Sequence, residues 1–358
     1  MGFNLSRGIL AVSLCLALHI HGAHAQDSSQ AAANGSSPLA DQTVEPVVKR
    51  RSPPRYPMNA ANKGVEGWVL VDFYVEPNGK VSSFTALDGA PTGVFEKSTE
   101  QALKRWRYKP ALLNGQPVRQ RRSLIMSFEL EGTSVSHAFR TALVNAQEAI
   151  DKSDLGAARQ HIESLAAAFN GSIQETDAFE AVTGKYYIAT TEYDRAIYHF
   201  ERATRYVSQS RQKSSTPNLV RMLFELKMYR GQLSSALNTF EVLKESGALV
   251  NEDLAHTKAL EAKTLLDGQE SLAVQGLMLG SCFKCGDGES LWMYPLTRSR
   301  FSIDQVHGTI TTLNLACDYH EQEFDYEPGS SLTLAEDWGD CELQVRGSTD
   351  TTFRLAEL

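Results

Sequence analysis

The sequence predicts an α+β multidomain chain, and three observations predict it. Strand-period alternation brackets a tight turn near residue 78, helix-period patterning runs from Ser134 to about Leu279, and short β-type runs follow Gly280. At 358 residues with 42% hydrophobic content, the chain is long enough for two or three cores.

The first segment opens with Arg55-Tyr56-Pro57 and continues through Gly64-Val65-Glu66-Gly67 into Trp68 to Val75. Val69, Val71, Phe73 and Val75 fall on one face, the pattern of a half-buried strand. Glu76-Pro77-Asn78-Gly79-Lys80 then predicts a hairpin, with both Asn78 and Gly79 tolerant of positive φ, and Val81 to Leu87 is its second strand. Pro91 to Trp106 reads as an amphipathic helix, with Phe95, Ala102, Leu103 and Trp106 on its apolar stripe. Trp106-Arg107-Tyr108-Lys109-Pro110-Ala111 closes that helix, since a proline disfavours helix in the residue before it. After the turn Asn114-Gly115-Gln116-Pro117, the residues Leu124, Met126, Phe128 and Leu130 supply a third strand, apolar on one side.

Tyr-Pro, Gly-x-Glu-Gly and Trp-Arg-Tyr-x-Pro in this order resemble the C-terminal domain of TonB, the energy-transducing protein of Gram-negative envelopes, over about 75 residues. The resemblance implies a ββαβ domain at 47–132 that binds rather than catalyses. The domain is expected to receive an extended peptide, the TonB box of an outer-membrane transporter, beside its last strand by β-strand addition. Carried over by position, the peptide-binding residues are Arg55, Tyr56 and Pro57 ahead of the first strand, and Leu124, Ile125, Met126, Ser127, Phe128, Glu129 and Leu130 in the last. The competing reading makes Tyr56, Trp106 and Tyr108 core residues, and makes Arg119, Arg121 and Arg122 guards of an exposed edge.

Ahead of this domain, Met1 to Ala25 carries Arg7, an apolar run from Gly8 to Leu18 and the small-x-small end Ala23-His24-Ala25. That pattern predicts a cleaved signal peptide over 1–25 and a periplasmic protein. The alternative, an inner-membrane anchor, is disfavoured because the run falls short of the ~20 residues a span needs. Residues 26–46 read as a polar tether. TonB proteins have a long proline-rich spacer at this place, whereas the stretch from Gln26 to Pro53 reaches roughly 90–100 Å even when fully extended. Coupling to inner-membrane motor proteins is therefore less expected than peptide recognition.

Between 133 and 279 the alanine-rich segment predicts helical repeats. Gly184 to Ala203 resembles a tetratricopeptide repeat, and similar pieces surround Ala158 and Ala236. Three helix pairs are expected, with a fourth around Leu254 to Leu279. Such an array either binds a partner on its concave face or serves as a spacer. His137, His161, His199 and His256 are scattered over it, which suits surface or core roles.

The end of the chain, 280–358, reads as a small antiparallel sandwich with strands at Leu291 to Leu296, Thr309 to Cys317, Glu323 to Tyr326, Ser331 to Leu334, Cys341 to Val345 and Thr352 to Leu355. An even set of cysteines in an exported chain favours disulfides, with Cys317–Cys341 and Cys282–Cys285 the preferred pairing. Two alternatives stay open: a zinc site from Cys282-x-x-Cys285 and Cys317-x-x-His320, and a redox-active Cys-Phe-Lys-Cys.

Charge is uneven beneath the net −8. Val47 to Leu130 holds 14 Lys and Arg against 7 Asp and Glu, while Ser271 to Leu358 holds 5 against 14. The two regions attract each other or different partners. Nucleic acid is not an expected partner, because an export signal precedes a sheet without stacked aromatics. No phosphate loop, nucleophile elbow or metalloprotease helix occurs, so no catalytic residue, cofactor or metal is assigned and an enzyme is not expected. Three functions remain: peptide binding linked to TonB-dependent transport, a structural adaptor whose N-terminal sheet packs on the acidic end, and, least favoured, a thiol oxidoreductase. Partners would be an outer-membrane transporter, another envelope protein, or a second copy through edge-strand pairing.

Overall fold

The computed structural model describes residues 43–130, 135–205, 217–246, 249, 254–268, 271–280 and 288–358. The expected signal peptide and most of the tether lie outside them. Residues 41–358 form one compact unit, so the sheet, the helices and the sandwich pack on one another.

Two short strands, β1 (Thr43–Val44) and β2 (Val47–Arg50), and the short helix α1 (Met58–Asn62) lead into β3 (Gly67–Val75) and β4 (Val81–Ala90). Helix α2 (Glu96–Leu103), β5 (Arg107–Lys109), β6 (Ala111–Leu113), β7 (Gln116–Val118) and β8 (Gln120–Phe128) complete the segment. The main sheet has the order β4-β3-β8, all antiparallel. Two small ladders, β1-β6-β7 and β2-β5, tie residues 43–50 to 107–118. The β-branched pair Thr43-Val44 thus forms a strand inside the stretch expected to be tether.

Two local readings need correction. In the β3–β4 turn only Gly79 adopts positive φ (75°), so a right-handed turn is followed by a left-handed glycine, a bulge-type hairpin. At β6–β7, Asn114 and Gly115 both do (52° and 80°), as a primed two-residue turn requires. Helix α2 is shorter than expected at both ends, although Phe95, Ala102, Leu103 and Trp106 are buried as its stripe predicts. Beyond Lys104 the chain pairs with residues 47–50, and the ladder bonds of β2 and β5 replace further helical ones.

Three helix hairpins follow: α3 (His137–Asp151) with α4 (Leu155–Ala168), α5 (Ile173–Ala189) with α6 (Tyr193–Thr204), and α7 (Pro217–Tyr229) with α8 (Leu233–Glu245). Their turns share one geometry. Ser153, Thr191 and Gly231 take positive φ, and the following N–H of Asp154, Glu192 or Gln232 reaches back to Ala149, Tyr187 or Lys227. Ala158, Ala196 and Ala236, one turn into each second helix, are fully buried, because the paired helices approach closely there. The region from Leu254 holds a single helix, α9 (Leu254–Asp267), in place of a fourth pair. Gly268 ends it, and Leu-Ala-Val-Gln-Gly-Leu switches to strand period.

That switch makes β9 (Leu272–Leu277) the first strand of the terminal sandwich rather than helical repeat. β10 (Glu289–Pro295), β11 (Arg300–His307), β12 (Ile310–Cys317), β13 (Glu321–Asp325), β14 (Ser331–Thr333), a 3-10 turn at Glu336–Trp338, β15 (Cys341–Ser348) and β16 (Thr352–Glu357) follow. The two sheets have the orders β10-β15-β12-β13 and β14-β11-β16-β9. Tyr294, Leu313, Leu315, Leu343 and Val345 of one meet Val274, Phe301, Ile303, Phe353 and Leu355 of the other in one core. No helix among the described residues is long and apolar enough to cross a membrane.

Candidate peptide-binding margin

Among the described residues β8 pairs with β3 alone and so borders the main sheet. Its side chains alternate. Leu124, Met126 and Phe128 face the core with Val69, Val71, Phe73 and Phe95, while Ile125 turns to the other side, against Trp68, Ala90, Leu70 and Phe169. Backbone polarity alternates too. The N–H of Arg121 points away from β3 and donates to the carbonyl of Asp318 at 2.7 Å, so Ser123, Ile125 and Ser127 turn their main-chain groups to the same margin. Ser123 and Ser127 are exposed. Ile125 is buried and engaged, and Leu130, past the strand, donates its N–H to Glu66 Oε1 at 2.7 Å. Glu129 is exposed.

Arg55, Tyr56 and Pro57 sit elsewhere. The Tyr56 ring packs edge-on against Phe95 and Phe128, with centroids 5.7 and 5.8 Å away, and its hydroxyl donates to the Val65 carbonyl at 2.7 Å. The Arg55 carbonyl accepts from Ser98, and Pro57 caps α1. The structure brings Tyr56 to the last strand on its core side, away from the margin.

The far side of the sheet is covered as well. β3 reads as a half-buried strand, yet eight of its nine residues are buried. Trp68 donates from Nε1 to Thr176 Oγ1 at 3.4 Å and lies 5.4 Å from the Arg202 guanidinium, which pairs with Asp88 and with Glu180 at 2.7 Å. Tyr74 sends its hydroxyl to the carbonyls of Cys317 and His320 at 2.8 and 2.7 Å. Arg119 stacks 3.5 Å over the Tyr74 ring and reaches Glu76 and Glu321 at 3.2 and 3.3 Å. A signal for this coverage was present, since Trp68 to Val75 is nearly continuous in apolar residues, the mark of burial on both faces.

Arg121 is the hub. Its guanidinium binds Asp72, Glu342 at 2.8 Å and the Ala316 carbonyl at 3.0 Å. Burial pushes the Asp72 carboxyl up to about 6 against the pull of Arg121, and the neighbouring Glu342 adds to the rise. The attraction expected between the basic and acidic regions is realised in these pairs. Pattern reading missed Tyr74 and Asp72 because their partners lie at the other end of the chain.

Cys317 and Cys341, register partners on β12 and β15, form a disulfide. The pairing removes Cys317 from the zinc alternative, and the His320 ring stacks on Trp338 at 4.1 Å. Cys282 and Cys285 lie outside the described residues, and with them the Cys-Phe-Lys-Cys reading.

Residues 52–130 match the family model for the Gram-negative bacterial TonB protein C-terminal region. The chain is 30% identical over 96 residues to Protein TonB of Pseudomonas aeruginosa, covering 27% of this chain and 28% of that one. It is 37% identical over 83 residues to Protein TonB of Escherichia coli, covering 23% and 35%. A solution NMR structure of the Pseudomonas aeruginosa TonB CTD aligns at 28% identity, with 25% of this chain and 91% of that one covered and a TM-score of 0.23. The chain spans about a third of the length of the curated relatives it matches. Residues 52–130 are therefore a TonB C-terminal domain, carried here in one chain with helix hairpins and an antiparallel sandwich.

Proposed function

We propose that this protein works in TonB-dependent transport in the periplasm, taking an extended segment of an outer-membrane transporter or another envelope protein along the β8 margin. The observation that carries the reading is the strand order β4-β3-β8, which among the described residues leaves Ser127 exposed on a strand bonded to one neighbour; Ile125 is engaged, so the reading centres on the Ser127 end. Main-chain pairing supplies the affinity, and Ser127 and Glu129 stand beside the incoming chain. The sandwich closes the start of the margin at Arg121, so the segment enters from the Ser127 end.

The test is binding of synthetic TonB-box peptides to the full chain and to Ser127→Pro. Proline there removes an outward N–H and leaves the β3 ladder intact. Saturable binding that Ser127→Pro weakens roughly tenfold supports the reading, a factor expected for one lost hydrogen bond. Absence of binding, or binding indifferent to the substitution, sinks it.

The Arg121, Arg119 and Tyr74 contacts favour a second reading, the adaptor, in which the sheet serves as a mount for the sandwich. Under it, TonB-box peptides do not bind and Arg121 substitutions affect stability alone.

A further inference from the structure

A cleft of about 560 Å³ lies where the sheet, the hairpins and the sandwich meet. Its walls include Ser123 of β8, Asn238 and Thr239 of α8, and Gln275 and Leu277 of β9. The whole stretch Leu291 to Pro295 of β10 completes it. β9 and β10 each end their sheet, so two further strand margins open on the same space.

The polarity of the β10 margin follows from its last residue. Pro295 has no N–H, and its carbonyl accepts from Ser234 Oγ at 2.8 Å, away from β15. The β10–β15 register is regular, so Leu291 and Met293 present their N–H and C=O to the cleft by the two-residue alternation of antiparallel pairing. Neither has a main-chain partner on that side among the described residues. Donors and acceptors repeated every second residue, ~6.8 Å apart, match the backbone of an extended polypeptide.

Charge narrows the occupant. Asp88 pairs with Arg202 and with Arg205, which also lines the cleft, and Asp194, Glu201 and Glu342 pair with Arg230, Lys227 and Arg121. Asp318 also lines the cleft, and it has no ion-pair partner among the described residues. Among the described residues its carboxylate accepts the Asp340 N–H alone, at 3.1 Å, and it stands near both the Asp340 carboxylate and the Arg121 guanidinium.

We propose that the cleft is a second strand-addition site, for an extended peptide whose backbone pairs with Leu291 and Met293 and whose Lys or Arg side chain meets Asp318. The paired stretch is about three to five residues, because Pro295 and Ser234 close the margin at one end. The strand that pairs here is β10; Ser123 of β8 lines one wall of the cleft, but the pairing does not depend on the function proposed for β8.

Two pools of N-acetylated, C-amidated hexapeptides, randomised except for a fixed third residue, Lys in one and Glu in the other, test this on the immobilised full chain. The Lys pool should be retained roughly tenfold over the Glu pool, and Met293→Pro and Asp318→Asn should each erase that preference. Met293→Pro keeps every ladder bond to β15, and an unchanged melting temperature confirms its fold. Peptides enriched from the Lys pool should slow amide hydrogen exchange over 289–295, and alternate N-methylation should abolish their binding. Ser127→Pro should leave retention unchanged, which separates this site from the β8 margin. Equal retention of the two pools, no retention of either, or retention that survives Met293→Pro overturns the proposal.

Discussion

The N–H of Arg121 and the carbonyl of Asp318 meet at 2.7 Å, a main-chain bond that joins the border strand of one sheet to a corner of another. Side chains reinforce it from both directions, with Arg121 on Glu342 and Tyr74 on Cys317 and His320. Arg121→Met would leave Asp72, 5% exposed, without its cation. Chemical denaturation should show a loss of about 3 kcal/mol, partly recovered by adding Asp72→Asn. Tyr74→Phe removes one donor shared by two carbonyls and should cost about 1–2 kcal/mol.

The Cys317–Cys341 bond spans 24 residues of sequence and fixes the corner that carries those acceptors. Reduction should lower stability by about 3 kcal/mol on a loop-entropy basis. It should also accelerate amide exchange at 120–122, on the opposing sheet. A drop in melting temperature without the exchange change would confine the bond's influence to the sandwich.

Burial decides which ion pairs matter. Arg202 is 11% exposed and bridges Asp88 to Glu180, whereas Arg122, 42% exposed, pairs with Glu45, 60% exposed. Arg202→Met leaves Asp88 with Arg205 alone, at 3.6 Å, and Glu180 with His199 alone, at 2.6 Å, and should cost about 3 kcal/mol. Arg122→Met should cost at most about 0.5 kcal/mol, the ordinary worth of a solvated pair. Equal effects in urea titrations would contradict this ranking.

Asp177 gives the chain a pH-dependent element. Burial, followed by the adjacent Glu180, pushes its carboxyl up to about 7, and Oδ1 has no hydrogen-bond partner among the described residues. A folded pKa above the unfolded one adds stability in acid, and that contribution is lost as pH rises through 7. Asp177→Asn should therefore melt higher than the parent at pH 8, by a margin that shrinks at pH 5. A constant margin would show that the group does not titrate in this range.

Gly184 sits in α5 against the Phe200 ring, which an added Cβ would strike. Alanine gains about 1 kcal/mol in helix propensity, but overpacking a closed core costs about 1–3 kcal/mol. Gly184→Ala should be destabilising on balance, and Gly184→Ala with Phe200→Leu should regain stability.

Local patterns made the individual elements legible. Alternation placed β3, β4 and β8, and the 38- and 40-residue spacing of Ala158, Ala196 and Ala236 marked three equivalent helix turns, each confirmed by a positive-φ residue five positions earlier. β9 and β11 were overlooked for different reasons. The first adjoins a helix of similar composition, and the second mixes Asp304 and Gln305 into an apolar run. The place of Tyr56 was not legible locally, because its ring fills the space between Phe95 and Phe128, a contact between segments far apart in sequence. The competing reading of Arg121 as a guard of an open edge does not hold, because an acidic corner covers it, and the charge imbalance between the two regions is what pointed there.

Coverage of the sheet on its Trp68 face bears on how the molecule can be handled. A fragment cut after residue 130 would hand Trp68, Leu70 and Ile125 to water and leave Arg121 and Tyr74 without their distant acceptors. Such an excised module would be prone to self-association, and its apparent oligomers or ligand preferences would reflect the wound rather than the intact protein.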